Sequence, residues 1–160
     1  MSQRQDQNQS IHSHTFVALA ILQQGNRFLM QLRDDDPRIL YPGHWGFFGG
    51  HMEPGESADD AVRRELIEEL SYCPPALKLF VRQEEPTITR YIYHGYLEVN
   101  LSDLVLGEGI DFALLSLSDI ERGHHFSAKI SQARPLGKPH RAILLQFLAD
   151  NGDRSLVDPT

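Results

Sequence analysis

The first apolar segments of the chain have the length and spacing of a β-hairpin. TFVALAIL and FLMQLR are runs of strand length, separated by the short turn QQGNR. The loop DDDPRILYPGHW comes next, punctuated by Pro37 and Pro42. Its length indicates a lid or a loop that faces a substrate rather than a tight connection.

A short aromatic strand and a helix follow this loop. WGFFGG has the composition of a strand that ends in paired glycines, and EPGES predicts a turn. Ser57 is the expected helix N-cap, with Asp60 in the capping-box position. The helix is predicted over residues 58–70, because Pro74 and Pro75 follow shortly after it.

The second half of the chain combines predicted strands with two further helices. ALKLFVRQ and TRYIYHGYLEV are rich in β-branched and aromatic residues and are predicted to pair as antiparallel strands. DFALLSL predicts another strand, and SDIERG predicts a short helix. The closing segment KPHRAILLQFLAD is amphipathic, and the residues available for burial are Ala142, Leu145, Phe147 and Leu148.

Length and composition fit one globular domain. The chain has 160 residues, of which 41% are hydrophobic and 23% charged. The order of elements predicts an α/β fold built on a mixed sheet over residues 13–149, without an internal repeat. Residues 1–12 and 150–160 are expected to be loose tails.

The charge balance argues against binding to a nucleic acid polymer. A formal charge of −7 and a pI near 5.5 leave no basic surface for phosphates, so an anionic substrate would need a bound cation. The lone cysteine, Cys73, excludes an internal disulfide, fits a reducing cytosol and is expected to be a small buried apolar residue. The polar N-terminus is neither a signal peptide nor a membrane anchor, so we expect a cytoplasmic location.

The predicted helix over residues 58–70 carries an unusual cluster of acids. At about 100° per residue, Glu65, Glu68 and Glu69 share an arc roughly 100° wide, so their like charges repel one another. This arc lies beside the predicted buried stripe of Val62, Leu66 and Leu70. The acids therefore border the core, where solvent screens charge less than on an open face.

Two interpretations of these acids remain open. In the first, the helix is an ordinary solvated surface with ion pairs at i,i+4 spacing, namely Asp59–Arg63, Asp60–Arg64 and Arg64–Glu68. That interpretation leaves Glu65 and Glu69 without a basic partner on the helix. In the second, the main-chain carbonyls of Gly49 and Gly50 join the carboxylates in a hard oxygen site that suits Mg²⁺ or Mn²⁺.

The stretch from Gly50 to Tyr72 resembles the Nudix box, G-x5-E-x7-R-E-U-x-E-E-x-G-U, where U is aliphatic. The residues that match are Gly50, Glu56, Arg64, Glu65, Leu66, Glu68 and Glu69. Ser71 and Tyr72 depart from the pattern, which has glycine and an aliphatic residue there. Together with the upstream Pro-Gly-x-Trp segment, the resemblance covers residues 13–149. It implies an α/β/α sandwich around a mixed β-sheet.

The resemblance also implies roles for the matching residues. Glu65, Glu68 and Glu69 would be Mg²⁺ ligands, joined by the carbonyl of Gly50. Arg64 would orient the glutamates, the alternative being a surface pair with Asp60. Glu56 would be a structural partner near the start of the helix or simply an acid stabilised by the helix dipole.

Residues outside the box are candidates for the remaining roles. Some Nudix enzymes take their base from a later loop, so Glu108 in LGEGIDFALLSL is a candidate ligand or base, or else a solvated turn acid. The aromatic residues that would stack on a substrate, although burial in the core is favoured, are Trp45, Phe47, Tyr91 and Tyr93. The basic residues that would contact phosphates, or lie at the surface, are Arg33, Arg38, Arg90, His44 and His51.

These expectations define a function. The resemblance implies a Mg²⁺-dependent pyrophosphohydrolase, with Mn²⁺ as a possible substitute, in which a metal-activated water attacks phosphorus. Nucleotide sugars, ADP-ribose, dinucleotides and modified nucleoside triphosphates all remain open as substrates. The alternatives are a non-catalytic Nudix-like domain that senses a nucleotide and an acidic interaction module. The protein would be a monomer or a homodimer, with no membrane partner.

Overall fold

The computed structural model describes residues 13–151, so both predicted tails lie outside it except for residues 150 and 151. The strands are β1 (Thr15–Gln24), β2 (Arg27–Leu32), β3 (Trp45–Gly46), β4 (Phe48–His51), β5 (Lys78–Glu84), β6 (Ile88–Tyr96), β7 (Asp111–Leu115), β8 (His124–Ser127) and β9 (Gln132–Pro135). The helices are α1 (Ala58–Leu70), α2 (Leu117–Arg122) and α3 (Lys138–Asn151), with a 3₁₀ turn at Leu101–Asp103. No helix within residues 13–151 is both long and apolar enough to span a membrane.

The main sheet is mixed. Its order is β3-β2-β1-β6-β5, with β4 paired to β1 and β7 paired to β2. β1 runs parallel to β6, whereas its pairings with β2 and β4 are antiparallel. The predicted hairpin of β1 and β2 and the antiparallel pair of β5 and β6 are both confirmed.

Side chains on β1 alternate between two apolar layers, because successive residues of a strand point to opposite faces. Ala18, Ala20 and Leu22 pack in the layer that contains Val62 and Leu66 of α1. The alternate residues, Val17, Leu19 and Ile21, pack in the layer that contains Ile143, Leu144 and Phe147 of α3. The α/β/α sandwich expected from the sequence is therefore confirmed, and it places α1 on one face of the sheet and α3 on the other.

Three details of the predicted elements were wrong. WGFFGG forms two strands instead of one, because Trp45 pairs with β2 and Phe48 pairs with β1. The hairpin of β8 and β9 was not predicted. α3 continues to Asn151, so the expected C-terminal tail does not begin at residue 150.

The buried face of α3 also differs from the expected one. Ala142 is exposed, while Ile143 and Leu144 are buried together with Phe147. Leu145 and Leu148 are half-buried and pack against the edge of the same layer. The segment is apolar on more than one side, so its periodicity alone did not determine which side faces the sheet.

Candidate active site

The ends of α1 follow from local sequence. Ser57 is the N-cap, and its side chain accepts a hydrogen bond of 3.1 Å from the Asp60 N–H. The helix ends where Ser71 adopts a left-handed conformation with φ of 55°, and the Ser71 N–H donates to the Ile67 carbonyl at 2.9 Å. Left-handed geometry at this position favours glycine, so Ser71 is a strained C-cap.

Arg64 holds three acids of the box in place. Its guanidinium donates to both oxygens of Glu56 at 2.8 and 2.9 Å, to Glu65 at 3.1 Å and to Glu68 at 3.3 Å. The hydrogen bonds from Arg64 lower the pKa of Glu56 to about 2. The alternative, a surface pair between Arg64 and Asp60, does not form, because the guanidinium is directed towards Glu56 instead.

Glu65 is half-buried, and the expectation that it lacks a basic partner on the helix was wrong, since Arg64 bonds to it. Burial nevertheless raises the pKa of Glu65, and the nearby negative charges of Glu68 and Glu108 add to the effect. Glu65 is therefore a carboxylate whose charge is only partly compensated.

Glu69 is the most deeply buried acid of the cluster. It is 2% exposed, and its Oε1 accepts a hydrogen bond of 2.9 Å from the Gly49 N–H. Burial is the main cause that raises its pKa to about 8; the charges of Glu65 and Glu108 act in the same direction, while the Gly49 hydrogen bond and the charge of Arg33 oppose them. The charged form of this carboxylate is destabilised, and a bound proton or cation would relieve that destabilisation.

The paired glycines before α1 allow the strand and the acids to approach each other. A Cβ added to Gly50 would lie 2.7 Å from the Glu65 carboxyl carbon, and one added to Gly49 would lie 2.2 Å from the Ala18 carbonyl oxygen. Gly49 therefore tolerates no side chain, since it meets backbone and has a φ of 130°, whereas a side chain at Gly50 would displace the end of the Glu65 side chain.

The register of β4 contradicts the expectation that the Gly50 carbonyl faces the site. The Met52 N–H donates to the Phe16 carbonyl, so hydrogen-bonded positions fall on that pair and on the pair Ala18–Gly50. The carbonyl of Gly50 is consequently directed at β1. Gly49 occupies the alternate position, and its N–H is directed at Glu69 rather than at β1. Gly49 is therefore a better candidate than Gly50 to offer a carbonyl to the site.

The loop that contains Glu108 is fixed to the C-terminal end of α1. The Gly107 N–H donates to the Glu69 carbonyl at 2.8 Å, and the Gln31 side chain donates to the Glu108 carbonyl at 2.9 Å. A Cβ on Gly107 would lie 2.4 Å from the Glu68 carbonyl oxygen, so only glycine fits. This packing brings the Glu108 charge close enough to raise the pKa of Glu69.

Arg33 lies at the edge of the acidic cluster. It is half-buried, and burial lowers its pKa although Glu69, Asp34 and Glu108 oppose the shift. Its Nε donates to the Leu40 carbonyl at 2.8 Å. A cavity of about 120 Å³ opens here, lined by Gln31, Arg33, Asp34, Ile39, Glu108 and Gly109.

Two of the predicted stacking residues are not accessible. Trp45 is 0% exposed, and its Nε1 donates to the His125 carbonyl at 3.1 Å. Phe47 is 2% exposed and stacks on the His140 ring at 4.9 Å. Both belong to the core between the sheet and α3, so the expectation that they stack on a substrate was wrong for both.

The remaining candidates lie away from the cluster or are engaged elsewhere. Tyr91 is half-buried beneath the Arg82 guanidinium, 5.5 Å from its ring centre, and Tyr93 is buried. Arg38 pairs with Asp36 at the surface, and Arg90 is buried beside Glu85. The ring of His44 forms a hydrogen bond with the Pro42 carbonyl. His51 is exposed, and its main-chain carbonyl accepts a hydrogen bond from Arg64. Cys73 is half-buried, whereas we expected it to be buried.

Sequence reasoning missed Gln31 and the packing role of Gly107. Gln31 is buried, although it lies in the apolar strand β2. A polar residue at an inward position of a strand was the available signal, because a buried amide requires hydrogen-bond partners. Here its partner is the loop that carries Glu108.

A comparison with family models places the chain in a family. A family model described as the NUDIX domain matches residues 12–134, and the chain belongs to that family.

Individual relatives cover less of the chain or are more distant. The "Nucleoside triphosphatase NudI" of Escherichia fergusonii is 42% identical over 60 residues, which span 38% of this chain and 41% of that protein. The same-named protein of Escherichia coli O1:K1 is 40% identical over the same share of both chains. The match thus spans well under half the length of these curated relatives.

Solved structures confirm the fold. The MutT protein from Methanosarcina mazei Go1 superposes with a TM-score of 0.67 at 23% identity, over 87% of this chain and 96% of that one. The NUDIX domain of Shewanella oneidensis NrtR, solved with ADP ribose, superposes with a TM-score of 0.63 at 18% identity, over 89% and 88%.

Proposed function

We propose that this chain hydrolyses a phosphoric anhydride bond in a small nucleotide derivative, with Mg²⁺ as its cofactor. The observation that carries the proposal is the environment of Glu69, a carboxylate that is buried beside Glu65 and Glu108 with a pKa raised to about 8. An acid whose pKa is strongly raised by burial and by neighbouring charges is a candidate functional residue. The names of the relatives, a nucleoside triphosphatase and a domain solved with ADP ribose, agree with a nucleotide substrate.

The residues of the acidic cluster have the type of ligand atom that a magnesium ion requires. They offer oxygen atoms only, and Mg²⁺ prefers oxygen ligands and keeps several waters and substrate oxygens in its shell. Within residues 13–151, no three acidic, histidine or cysteine side chains are already arranged to hold a metal. The cluster would thus be completed when Glu65 and Glu68 turn from Arg64, with Glu69 and the Gly49 carbonyl as further ligands.

A bound magnesium ion would neutralise phosphate charge and lower the pKa of a bound water. The chain's own contribution is to hold the carboxylates and to accept a proton. Arg64 bonds to both Glu65 and Glu68 and so holds the two carboxylates beside each other on α1, from where they would turn to a bound ion. The Gly49 N–H fixes one oxygen of Glu69 and leaves the other for a cation or a proton.

Glu108 is our candidate for the proton acceptor. Within the described residues no hydrogen bond engages its carboxylate, whereas Arg64 engages the carboxylates of Glu56 and Glu65. The Glu108 side chain is exposed, so a substrate can reach it. Its loop is hydrogen-bonded to α1, which keeps the carboxylate near the other acids. Arg33, at the mouth of the adjacent cavity, is the candidate to contact substrate phosphates.

The experiment measures phosphate and nucleotide release from a panel of nucleoside triphosphates, ADP-ribose, nucleotide sugars and dinucleoside polyphosphates. Each compound is tested with Mg²⁺, with Mn²⁺ and with a chelator. The Glu65→Gln variant should lose at least about 100-fold in kcat/KM. The Glu121→Gln variant, which removes an exposed acid on α2, is the matched control and should retain activity.

Three results would contradict the proposal. One is turnover that survives the chelator, and another is turnover unchanged by Glu65→Gln. The third is tight nucleotide binding without turnover of any compound, which would instead support a nucleotide-sensing domain.

A further inference from the structure

A second and larger cavity lies far from the acidic cluster. Its volume is about 450 Å³, within the range of small-molecule sites. It opens where β1 and β6 end, since Gln23 pairs with Tyr96 there, whereas β4 pairs with β1 over residues 17–20. Its lining includes Gln23, Lys78, His94, Tyr96, Phe147 and Asn151.

The hydrogen bond of His94 fixes the tautomer of its neutral ring. The side-chain nitrogen of Gln23 donates to the Gly25 carbonyl at 2.8 Å, which leaves the Gln23 Oε1 as an acceptor. The His94 Nε2 lies 2.8 Å from that oxygen and must donate to it. Burial lowers the pKa of His94, which agrees with a neutral ring. The Nδ1 is then an acceptor, and no hydrogen bond reaches it from the rest of residues 13–151.

The surroundings of His94 complete a recognition site. The centre of its ring lies 4.7 Å from that of Phe147 and 4.9 Å from that of Tyr96. The Tyr96 side chain is 59% exposed, which leaves an aromatic surface for a planar ligand. The Asn151 side-chain nitrogen donates to the Phe147 carbonyl at 2.8 Å, so the Asn151 oxygen is a second acceptor. Lys78 is exposed at the cavity and contributes a positive charge.

We propose that this cavity binds a purine nucleotide whose base carries an exocyclic amino group. The base would stack on Tyr96, its amino group would donate to the His94 Nδ1 or to the Asn151 oxygen, and its phosphate would pair with Lys78. Adenosine 5′-monophosphate has this chemistry and serves as the probe. The proposal concerns a different face of the sheet from the acidic cluster and holds whether or not the proposed hydrolysis occurs.

Calorimetric titration of the full chain with adenosine 5′-monophosphate, in a chelator, tests the site. We expect one ligand per chain with a Kd tighter than about 1 mM. Purine riboside 5′-monophosphate lacks only the amino group and should bind about five- to tenfold more weakly. The His94→Phe variant keeps an aromatic ring, removes the acceptor and should weaken binding by a similar factor. His124→Phe, at an exposed histidine outside the cavity, should bind as the unaltered chain does.

Two further variants locate the site. Lys78→Gln should weaken the monophosphate more than it weakens adenosine, while Glu69→Gln should leave binding unchanged. The proposal is overturned if no binding occurs at millimolar ligand, if the amino group makes no difference, or if Glu69→Gln abolishes binding. Should His94→Phe fail to fold, the comparison of the two purine ligands on the unaltered chain decides the outcome.

Discussion

The helices α1 and α2 begin in the same way, but the buried acid of each lies in an opposite electrostatic environment. Each begins at a serine N-cap, Ser57 in α1 and Ser116 in α2. Each carries one buried carboxylate, Glu69 at 2% exposure and Asp119 at 8%. They differ in how many hydrogen-bond donors surround that carboxylate.

Asp119 is fully satisfied. Its Oδ2 accepts from the Ser116 N–H at 3.0 Å and from His125 at 2.9 Å, and Arg122 donates to its other oxygen. Burial alone would raise its pKa, but the bonds from Ser116 and His125 together outweigh burial and lower it. Asp119 thus ties α2 to β8 and stabilises the folded chain as an anion.

Glu69 has the Gly49 N–H as a donor, with two other acids nearby, and its pKa moves the other way, to about 8. A carboxylate that is satisfied within the protein has no capacity left for a ligand. A carboxylate with few hydrogen-bond donors can still bind a ligand, but its burial lowers the stability of the free protein. The comparison therefore distinguishes, on physical grounds rather than by residue type, an acid that stabilises the fold from the acid that we propose for the site.

The largest expected effect is a difference in enzymatic activity between variants of the two acids. Glu69→Gln should lower kcat/KM by at least about 100-fold, because a neutral amide does not supply the charge that the site requires. Asp119→Asn should leave kcat/KM within about threefold where the variant is folded, since Asp119 lies in α2 and not in the acidic cluster. Steady-state assays with saturating Mg²⁺ measure both. Equal losses in the two variants would mean that Glu69 acts through structure alone.

Stability should show the reverse order. Asp119→Asn should lower the free energy of unfolding by about 2–4 kcal/mol, because its amide leaves donors of Ser116, Arg122 or His125 unpaired. Glu69→Gln keeps an acceptor for the Gly49 N–H and should cost less than about 1 kcal/mol at pH 7. Urea unfolding in a chelator measures both values. The two acids are not distinct in the way proposed if Glu69→Gln is the more destabilising.

The sequence predicted the elements that carry the acids better than the environment of each acid. The spacing of Glu65 and Glu69 placed both on one side of α1, because helical periodicity is local. The burial of Glu69 depends on the approach of Gly49 and Gly107, which lie in separate parts of the chain. Local pattern carries no information on such contacts. Asp119 was unremarked for the same reason, since its partner His125 lies on the unpredicted hairpin of β8 and β9.

The pH dependence of stability should also distinguish the two acids. The folded chain holds a proton on Glu69 up to pH about 8, whereas the unfolded carboxyl loses it near 4.5. The folded state therefore binds more protons in this interval, and its stability falls as pH rises. Between pH 6.5 and 8 the loss should be about 2 kcal/mol without metal. The buried His140, whose pKa is lowered to about 3, acts in the opposite sense, and most of its effect lies below pH 6.5.

The control for this prediction is the same titration on two variants. Glu69→Gln should show a flat stability between pH 6.5 and 8, and Asp119→Asn should retain the slope of the unaltered chain. Asp119 has a lowered pKa, so its own contribution is lost only in acid. A slope that persists in Glu69→Gln would assign the linked proton to another group.

The smallest effect concerns the ends of the two helices. α2 ends at Gly123 with φ of 81°, which glycine adopts freely, while α1 ends at Ser71 with φ of 55°. Ser71→Gly should therefore raise the free energy of unfolding by about 0.5–1 kcal/mol, and Gly123→Ala should lower it by about 1 kcal/mol. Thermal unfolding of both variants measures the pair. Because Ser71 follows Glu69 by two residues, activity should be assayed as well, and a gain in stability with loss of turnover would show that strain at Ser71 helps to position Glu69.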